Sequence, residues 1–350
     1  MKFENIYYVT LLIQSLVLII AIISIVFIAF FQIRSKNKIK KLKAKITQSI
    51  NTALLQEEYD PSLIGNFSKK YQQEALLLTL EELNQNFKGE NWDRLRKALV
   101  KQNLSAYKKS YHPNAFWKTK TWAARCIRLD PSLEDKETLE KLLNEKSFYV
   151  RSLAIDASVE LEDKELISKV LEGMTKETKA CRYVYRNAFM SGTKKTLDLV
   201  LEDYKKAGNN DLLRICCLDV MMCQVQINLP DQLAGDILSS NQELREIASQ
   251  FLAKYSRRET RDLLVLASDD LSWKVRKNAI IGLARLNNPE NVPIFEKRLC
   301  DPFWDVRFEA GNALLNCGDQ GRAILRMQES SLNPISHDIA RYLLTSSYDK

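Results

Sequence analysis

Apolar positions recur along this chain at helical spacing, and the pattern returns every 31 or 32 residues. The clearest marker of the register is an arginine, at Arg151, Arg182, Arg214, Arg245, Arg276 and Arg307, with Lys120 one step earlier. Only 20 of 350 positions are arginine, so the regularity marks a repeated unit rather than chance. One residue before the arginine stands Val150, Cys181, Leu213, Leu244, Val275 or Val306. Three after it stands Ala154, Tyr185, Cys217, Ala248, Ala279 or Ala310, and seven after it Phe189, Met221, Leu252, Leu283 or Leu314. Ser158 interrupts that last column. Offsets of −1, +3 and +7 lie on one face of an α-helix, and the arginine sits at the edge of that stripe.

Each such helix is preceded by another apolar, helix-compatible segment. Thr260 to Ser268 predicts a first helix, Asp269-Asp270 a turn, and Ser272 to Leu286 a second helix. The next unit repeats this with Val292 to Cys300, Asp301-Pro302, and Phe303 to Asn316. Pro and Gly fall outside the helices, and no run alternates with period two. The pattern predicts an all-α chain of antiparallel helix pairs, each burying its stripe on the next. Pro334 to Leu344 reads as an atypical terminal repeat.

The segments DDLSWKVRKNAIIGLARL and DPFWDVRFEAGNALLNCG resemble second helices of HEAT-like repeats of the short kind. The resemblance covers roughly Ala115 to Asn316 and is strongest over 270–315. It implies a HEAT-like α-solenoid. It also implies that the arginine ties adjacent repeats through an acid six positions earlier. Asp270 and Asp301 match, Glu145 matches in part, and Ser239, Gly208 and Lys176 do not. On this reading the arginine ladder bridges repeats rather than binding phosphate.

The N-terminus breaks the pattern. Leu11 to Phe31 is almost wholly apolar, and at 1.5 Å per residue it is about 31 Å long, enough to cross a hydrocarbon core. Tyr7 and Tyr8 are placed for an interfacial belt. The run is too long for a cleaved signal, and its basic cluster follows rather than precedes it. That cluster is Arg34, Lys36, Lys38, Lys40, Lys41, Lys43 and Lys45. By the positive-inside rule the N-terminus lies outside and everything after the span lies in the cytoplasm of a bacterial cell, at the inner membrane. Seven cysteines, an odd number and several in core columns, agree with a reducing compartment. Within 34–46, Ile39, Leu42 and Ile46 recur at helical spacing, so the segment could lie in the interface with its cations on anionic lipid, or serve only as the stop signal.

The resulting division is an anchor at 1–33, a basic juxtamembrane segment at 34–50, divergent capping helices at 51–114 and the solenoid at 115–350. Asp60-Pro61-Ser62 reads as a break, and Phe67 to Asn86 and Trp92 to Val100 as helices.

Of the net charge of +8, the cations of 34–45 account for all but one, so the rest of the chain is near neutral. That weighs against a nucleic-acid groove, although Lys108, Lys109, Lys118, Lys120, Arg125 and Arg128 cluster with Tyr107, Tyr111, Trp117 and Trp122. Two distant histidines, His112 and His337, form no ligand spacing, and no CxxC, phosphate-loop or nucleophile-elbow motif occurs. Trp273 and Trp304 are expected to pack between helices. The expectation is therefore a non-enzymatic scaffold without metal or cofactor, held in the membrane through residues 7–33. It would bind a protein partner through the solenoid, for example in a polysaccharide-synthesising or secretion machine. The alternatives are a groove-based enzyme or small-ligand module, favoured by a deep apolar pocket, and nucleic-acid binding. A shallow surface with exposed aromatics favours the scaffold.

Overall fold

The computed structural model describes residues 2–55, 64–224 and 230–347, with side chains described from residue 14 to residue 345 outside the two gaps. The proposed break at Asp60-Pro61-Ser62 and the rings of Tyr7 and Tyr8 lie outside the described residues and side chains. Among the described residues every regular element is helical. The chain divides into two compact units, residues 1–157 and 158–350.

The first unit opens with α1 (Lys2–Leu54), followed by α2 (Lys70–Asn86), α3 (Glu90–Asn103), α4 (Ser105–Lys108), α5 (Trp117–Leu129) and α6 (Lys136–Leu143). Then α7 (Phe148–Leu161) carries the chain into the second unit. No Gly or Pro occurs in α1, so nothing in its sequence favours a kink. Every side chain from Gln14 to Lys38 is exposed, including Leu16, Ile25 and Phe27, and the helix is long and apolar enough to cross a membrane.

Beyond residue 38 the same helix changes role. Ile46 and Ile50 are buried, and with Ile39, Leu42 and Leu54 they pack on Leu76, Leu80, Leu83, Leu95 and Leu99. This corrects one expectation. Ile39, Leu42 and Ile46 do not lay their stripe into the lipid interface, because α2 and α3 offer them a protein core. The cations on the other faces stay exposed at Arg34, Lys36, Lys38, Lys40, Lys41 and Lys45. Lys43 turns to α2 and pairs with Glu82.

The second unit contains the first helices α8 (Lys164–Thr175), α10 (Lys194–Lys206), α12 (Leu233–Ile237), α14 (Arg261–Ala267), α16 (Val292–Arg298) and α18 (Gly318–Glu329). They alternate with the second helices α9 (Lys179–Ala188), α11 (Asp211–Met221), α13 (Gln242–Lys254), α15 (Trp273–Arg285), α17 (Trp304–Asn316) and α19 (Pro334–Ser347). Second helices pack on second helices in chain order from α9 to α19, and each of α13, α15, α17 and α19 also packs on its own first helix. This is an α-solenoid. Starts are set by side-chain caps: Asp163, Thr178, Thr193, Asn210 and Asn241 each accept from a main-chain N–H of the turn they open.

The apolar columns form the interior. Val275, Ala279, Leu283, Val306, Ala310 and Leu314 are fully buried, as are Leu244, Ala248 and Leu252. Ser158, the interruption, is equally buried. Packing is close enough to demand glycine at Gly321, where a Cβ would collide with the main-chain carbonyl of Leu314.

A chain starting at residue 34 retains every α1 contribution to the first core and should keep the melting temperature of that unit. One starting at residue 56 lacks Ile46 and Ile50, each at roughly 2–5 kcal/mol, and that unit should no longer melt cooperatively by circular dichroism. Gly321→Ala should lower the melting temperature of the second unit, since main chain cannot yield as a side chain does.

Candidate partner-binding face

The repeated arginine is placed by two sets of contacts. At Arg151, Arg245, Arg276 and Arg307 the guanidinium donates to the two main-chain carbonyls five and six residues earlier, where the turn before its own helix leaves acceptors unused, and Arg182 reaches only the nearer one, Glu177 O. Arg276 bonds Asp270 O at 2.9 Å and Leu271 O at 3.1 Å, and Arg307 bonds Asp301 O at 2.7 Å and Pro302 O at 2.9 Å. Arg245 does the same to Ser239 and Ser240, and Arg151 to Glu145 and Lys146. The acid six residues before one arginine takes the arginine of the preceding repeat. Arg245 forks onto Asp270 at 2.7 and 3.2 Å, and Arg276 onto Asp301 at 2.7 Å twice. The same aspartates accept from Ser272 N and Phe303 N, so each also closes the turn that leads into the next helix. Lys120 repeats the tie on Glu145 at 2.7 Å.

Where the sequence lacks that acid, the arginine finds another. Arg214 pairs with Asp236, whose carboxylate is fully buried and also accepts from Tyr204. Arg182 reaches Glu243 at 3.4 Å. The two solutions differ in quality. Burial alone would raise the Asp301 carboxyl, but Arg276, the Phe303 amide and Arg298 together hold it below the ordinary value. At Asp236 burial prevails over Tyr204 and Arg214, and the carboxyl is pushed up. Six aligned arginines thus serve the joints between helices and repeats, and their geometry gathers no common ligand site.

The outer edge of the second helices carries the exposed chemistry. A groove runs along α9, α11, α13 and α15, with cavities of about 450 and 690 Å³ that share Asp219, Gln250, Lys277 and Asn278. Its charges are mostly matched across repeats: Arg186 with Asp219 at 3.2 Å, Lys179 with Glu243 at 3.2 Å, Lys274 with Glu246 at 3.2 Å, and Lys277 with Asp305 at 3.7 Å. No histidine lines it, and among the described residues no group of three His, Cys, Asp or Glu could hold a metal. Three thiols offer little reactivity: burial pushes Cys126 and Cys216 up to about 12 and raises Cys217 well above the ordinary value.

Beside the groove lies an aromatic surface. Trp273 stacks on Phe303 with centroids 5.7 Å apart. Trp304 contacts Phe308 at 6.4 Å and Tyr342 at 5.6 Å, and Phe308 contacts Tyr342 at 6.4 Å. Trp304 is 45% exposed, Phe303 45% and Tyr342 49%. Trp304 packs on Tyr342 of α19, between helices as expected, but nearly half of its surface remains exposed. The signal was present in the register. Offsets −3 and +1 from Arg307 lie roughly 120–160° around the helix from the buried stripe, so Trp304 and Phe308 had no core to enter. Tyr342 and the Asp236–Tyr204 pair carried no comparable signal, since both depend on contacts between remote segments.

The basic cluster of 108–128 is largely neutralised within its own unit. Lys108 pairs with Asp135 at 2.8 Å and Asp130 at 3.5 Å, Lys120 with Glu145, and Arg125 and Arg128 with Glu81. Tyr107 and Trp122 pack on the core. Trp117 is exposed, with Lys118 against its ring.

The fold and the arginine geometry define a class, an α-solenoid of helical repeats. The family described as HEAT repeats matches residues 233–314 and 260–330, so this stretch of the chain consists of HEAT repeats. Among solved structures, an engineered protein is similar at 16% identity, covering 89% of this chain and 95% of that one with a TM-score of 0.37. YibA of E. coli is similar at 16% identity over 72% of this chain and 96% of that one, TM-score 0.40. Human deoxyhypusine hydroxylase in complex with glycerol is similar at 15% identity over 73% and 100%, TM-score 0.29. No curated protein matches the sequence.

Removing either partner of the Arg276–Asp301 pair should cost about 3–5 kcal/mol, read from denaturant unfolding, because the other charge stays buried. Its pH dependence has a definite sign. A carboxyl held below its unfolded value, near 3.9, stabilises fully above that value and loses the contribution as pH falls through the folded one. Asp301→Asn should therefore melt below the native chain at pH 7, and the gap should narrow below about pH 4.

Proposed function

We propose that this chain is a non-enzymatic scaffold, held in a bacterial inner membrane by a single span, whose repeats bind a protein partner on the cytoplasmic side. The observation that carries this reading is the exposed aromatic surface of Trp304, Phe308 and Tyr342, flanked by the Trp273–Phe303 stack. Contiguous exposed aromatics on a repeat protein are what a partner desolvates, and such rings dominate binding energy when covered. The adjoining groove has its charges paired and so suits a polar rim better than a reaction centre.

The membrane part rests on the exposed apolar surface of residues 14–33 and the cations that follow it. A tether raises the local concentration of a bound partner, so the contact itself can be modest. An accessory role in a polysaccharide-synthesising or secretion machine fits that arrangement.

Capture from crosslinked membranes tests the reading. The native full-length chain should recover a discrete partner. Trp304→Ala, Phe308→Ala and Tyr342→Ala combined should reduce capture at least about 30-fold while leaving the chain's helicity intact. Equal capture by both chains, or no protein captured by either, would contradict it.

A further inference from the structure

The membrane-proximal end of the first unit gathers cations from three separate segments. The direction of α2 is fixed by its contacts with α1. The Lys38 ammonium lies 5.9 Å from the ring of Tyr71, in the first turn of α2, and Lys43 pairs with Glu82 in its last part. Leu54 and Leu55 line a cavity together with Phe87 and Trp92. The two helices therefore run in the same direction, and α2 begins on the side where α1 leaves the bilayer. Helix α3 runs back toward that side. Trp92 donates to Asn84 at 2.9 Å at the far end, while Phe67 N donates to Asn103 Oδ1 at 2.7 Å and Gln73 donates to Asn103 O at 3.2 Å at the near end. The start of α2 and the last turns of α3 thus meet beside residue 38 of α1.

Height along α1 follows from its rise. From Phe31, the last residue of the apolar run, to Lys38 is about 10 Å. The headgroup layer adds about 5–8 Å to each side of the hydrocarbon, and the screening length outside it is about 8 Å. Lys69 and Lys70 at the start of α2, and Lys97 and Lys101 near the end of α3, are exposed at this level. Acids are few at this end: none occurs at 34–56, 61–73 or 94–129, Glu74 stands one turn after Lys70, and Asp93, one turn before Lys97, is paired with Arg96, so the cations are in excess. Their long side chains can extend toward the headgroups while their stems stay on the protein.

We infer that Lys69, Lys70, Lys97 and Lys101, together with Lys38, form one anionic-lipid contact that seats the first unit against the bilayer from which its own α1 emerges. The inference rests on the membrane-span reading and extends it. The span fixes the chain to the membrane, and the composite patch sets how the folded unit lies on it. The contact is built from positions remote in sequence, and α1 presents the patch at a fixed height because it passes unbroken from the apolar run into the core.

The test uses the full-length chain incorporated into nanodiscs of phosphatidylcholine alone or with 30% phosphatidylglycerol. Brief lysine acetylation is read by mass spectrometry. Lys69, Lys70, Lys97 and Lys101 should react at least about three-fold more slowly in the anionic discs, and 0.5 M salt should remove the difference. Lys88, exposed beside Leu54 at the opposite end and about 35 Å along α1 from Phe31, should react equally in both. Incorporation with equal reactivity of the four lysines in the two discs would overturn the lipid contact alone. Failure of the chain to incorporate would overturn the span and the contact with it.

Discussion

The solenoid depends on one recurring arrangement, a guanidinium that closes a helix joint and a repeat joint at once. Main-chain carbonyls at the end of a turn need donors, and an arginine five and six residues later supplies them. The same group then needs a counter-charge, and an aspartate of the next repeat provides it while also closing the turn before the following helix. Each aspartate therefore couples three things: the preceding arginine, its own turn and the following helix. Removing one leaves a buried charge and an open turn together, which is why the interaction outweighs an ordinary surface ion pair.

The middle of the array shows what happens without that acid. Ser239 and Gly208 stand where an aspartate would be, and the arginines turn to Asp236 and Glu243 instead. The Asp236 carboxyl is buried with a tyrosine and one guanidinium, and burial raises it, whereas Asp301 has enough donors to be lowered. Asp301 gathers two guanidinia and a main-chain N–H, whereas Asp236 has one guanidinium, a tyrosine and the like charge of Asp211, so its burial is less offset.

Much of this was legible in the sequence. The period of 31 to 32 residues and the −1, +3 and +7 columns predict stacked helix pairs, and α15 and α17 span Trp273–Arg285 and Trp304–Asn316, within a residue of their expected ends. Cys181 and Leu213 are only partly buried, since their column weakens where the repeat does. The role of residues 39–54 was not legible. A stripe of Ile and Leu among lysines reads equally well as a lipid face or a protein face, and only the tertiary placement of α2 and α3 decides. The aromatic surface was half legible: position on the helix put Trp304 and Phe308 outward, but nothing local announced Tyr342 beside them.

On the proposed reading, function in this chain follows from surface and position rather than from a reactive constellation. A helix that passes without interruption from an exposed apolar run into a protein core gives the first unit a fixed station, and the repeats offer an aromatic face bordered by matched charges. The central claim is that this chain is an integral membrane protein with its folded part on the cytoplasmic side. Alkaline carbonate extraction followed by protease treatment of intact and permeabilised cells tests it most directly. The account predicts that the chain stays in the membrane pellet and that residues 64–347 are cleaved only after permeabilisation. Release by carbonate, or digestion in intact cells, would contradict it.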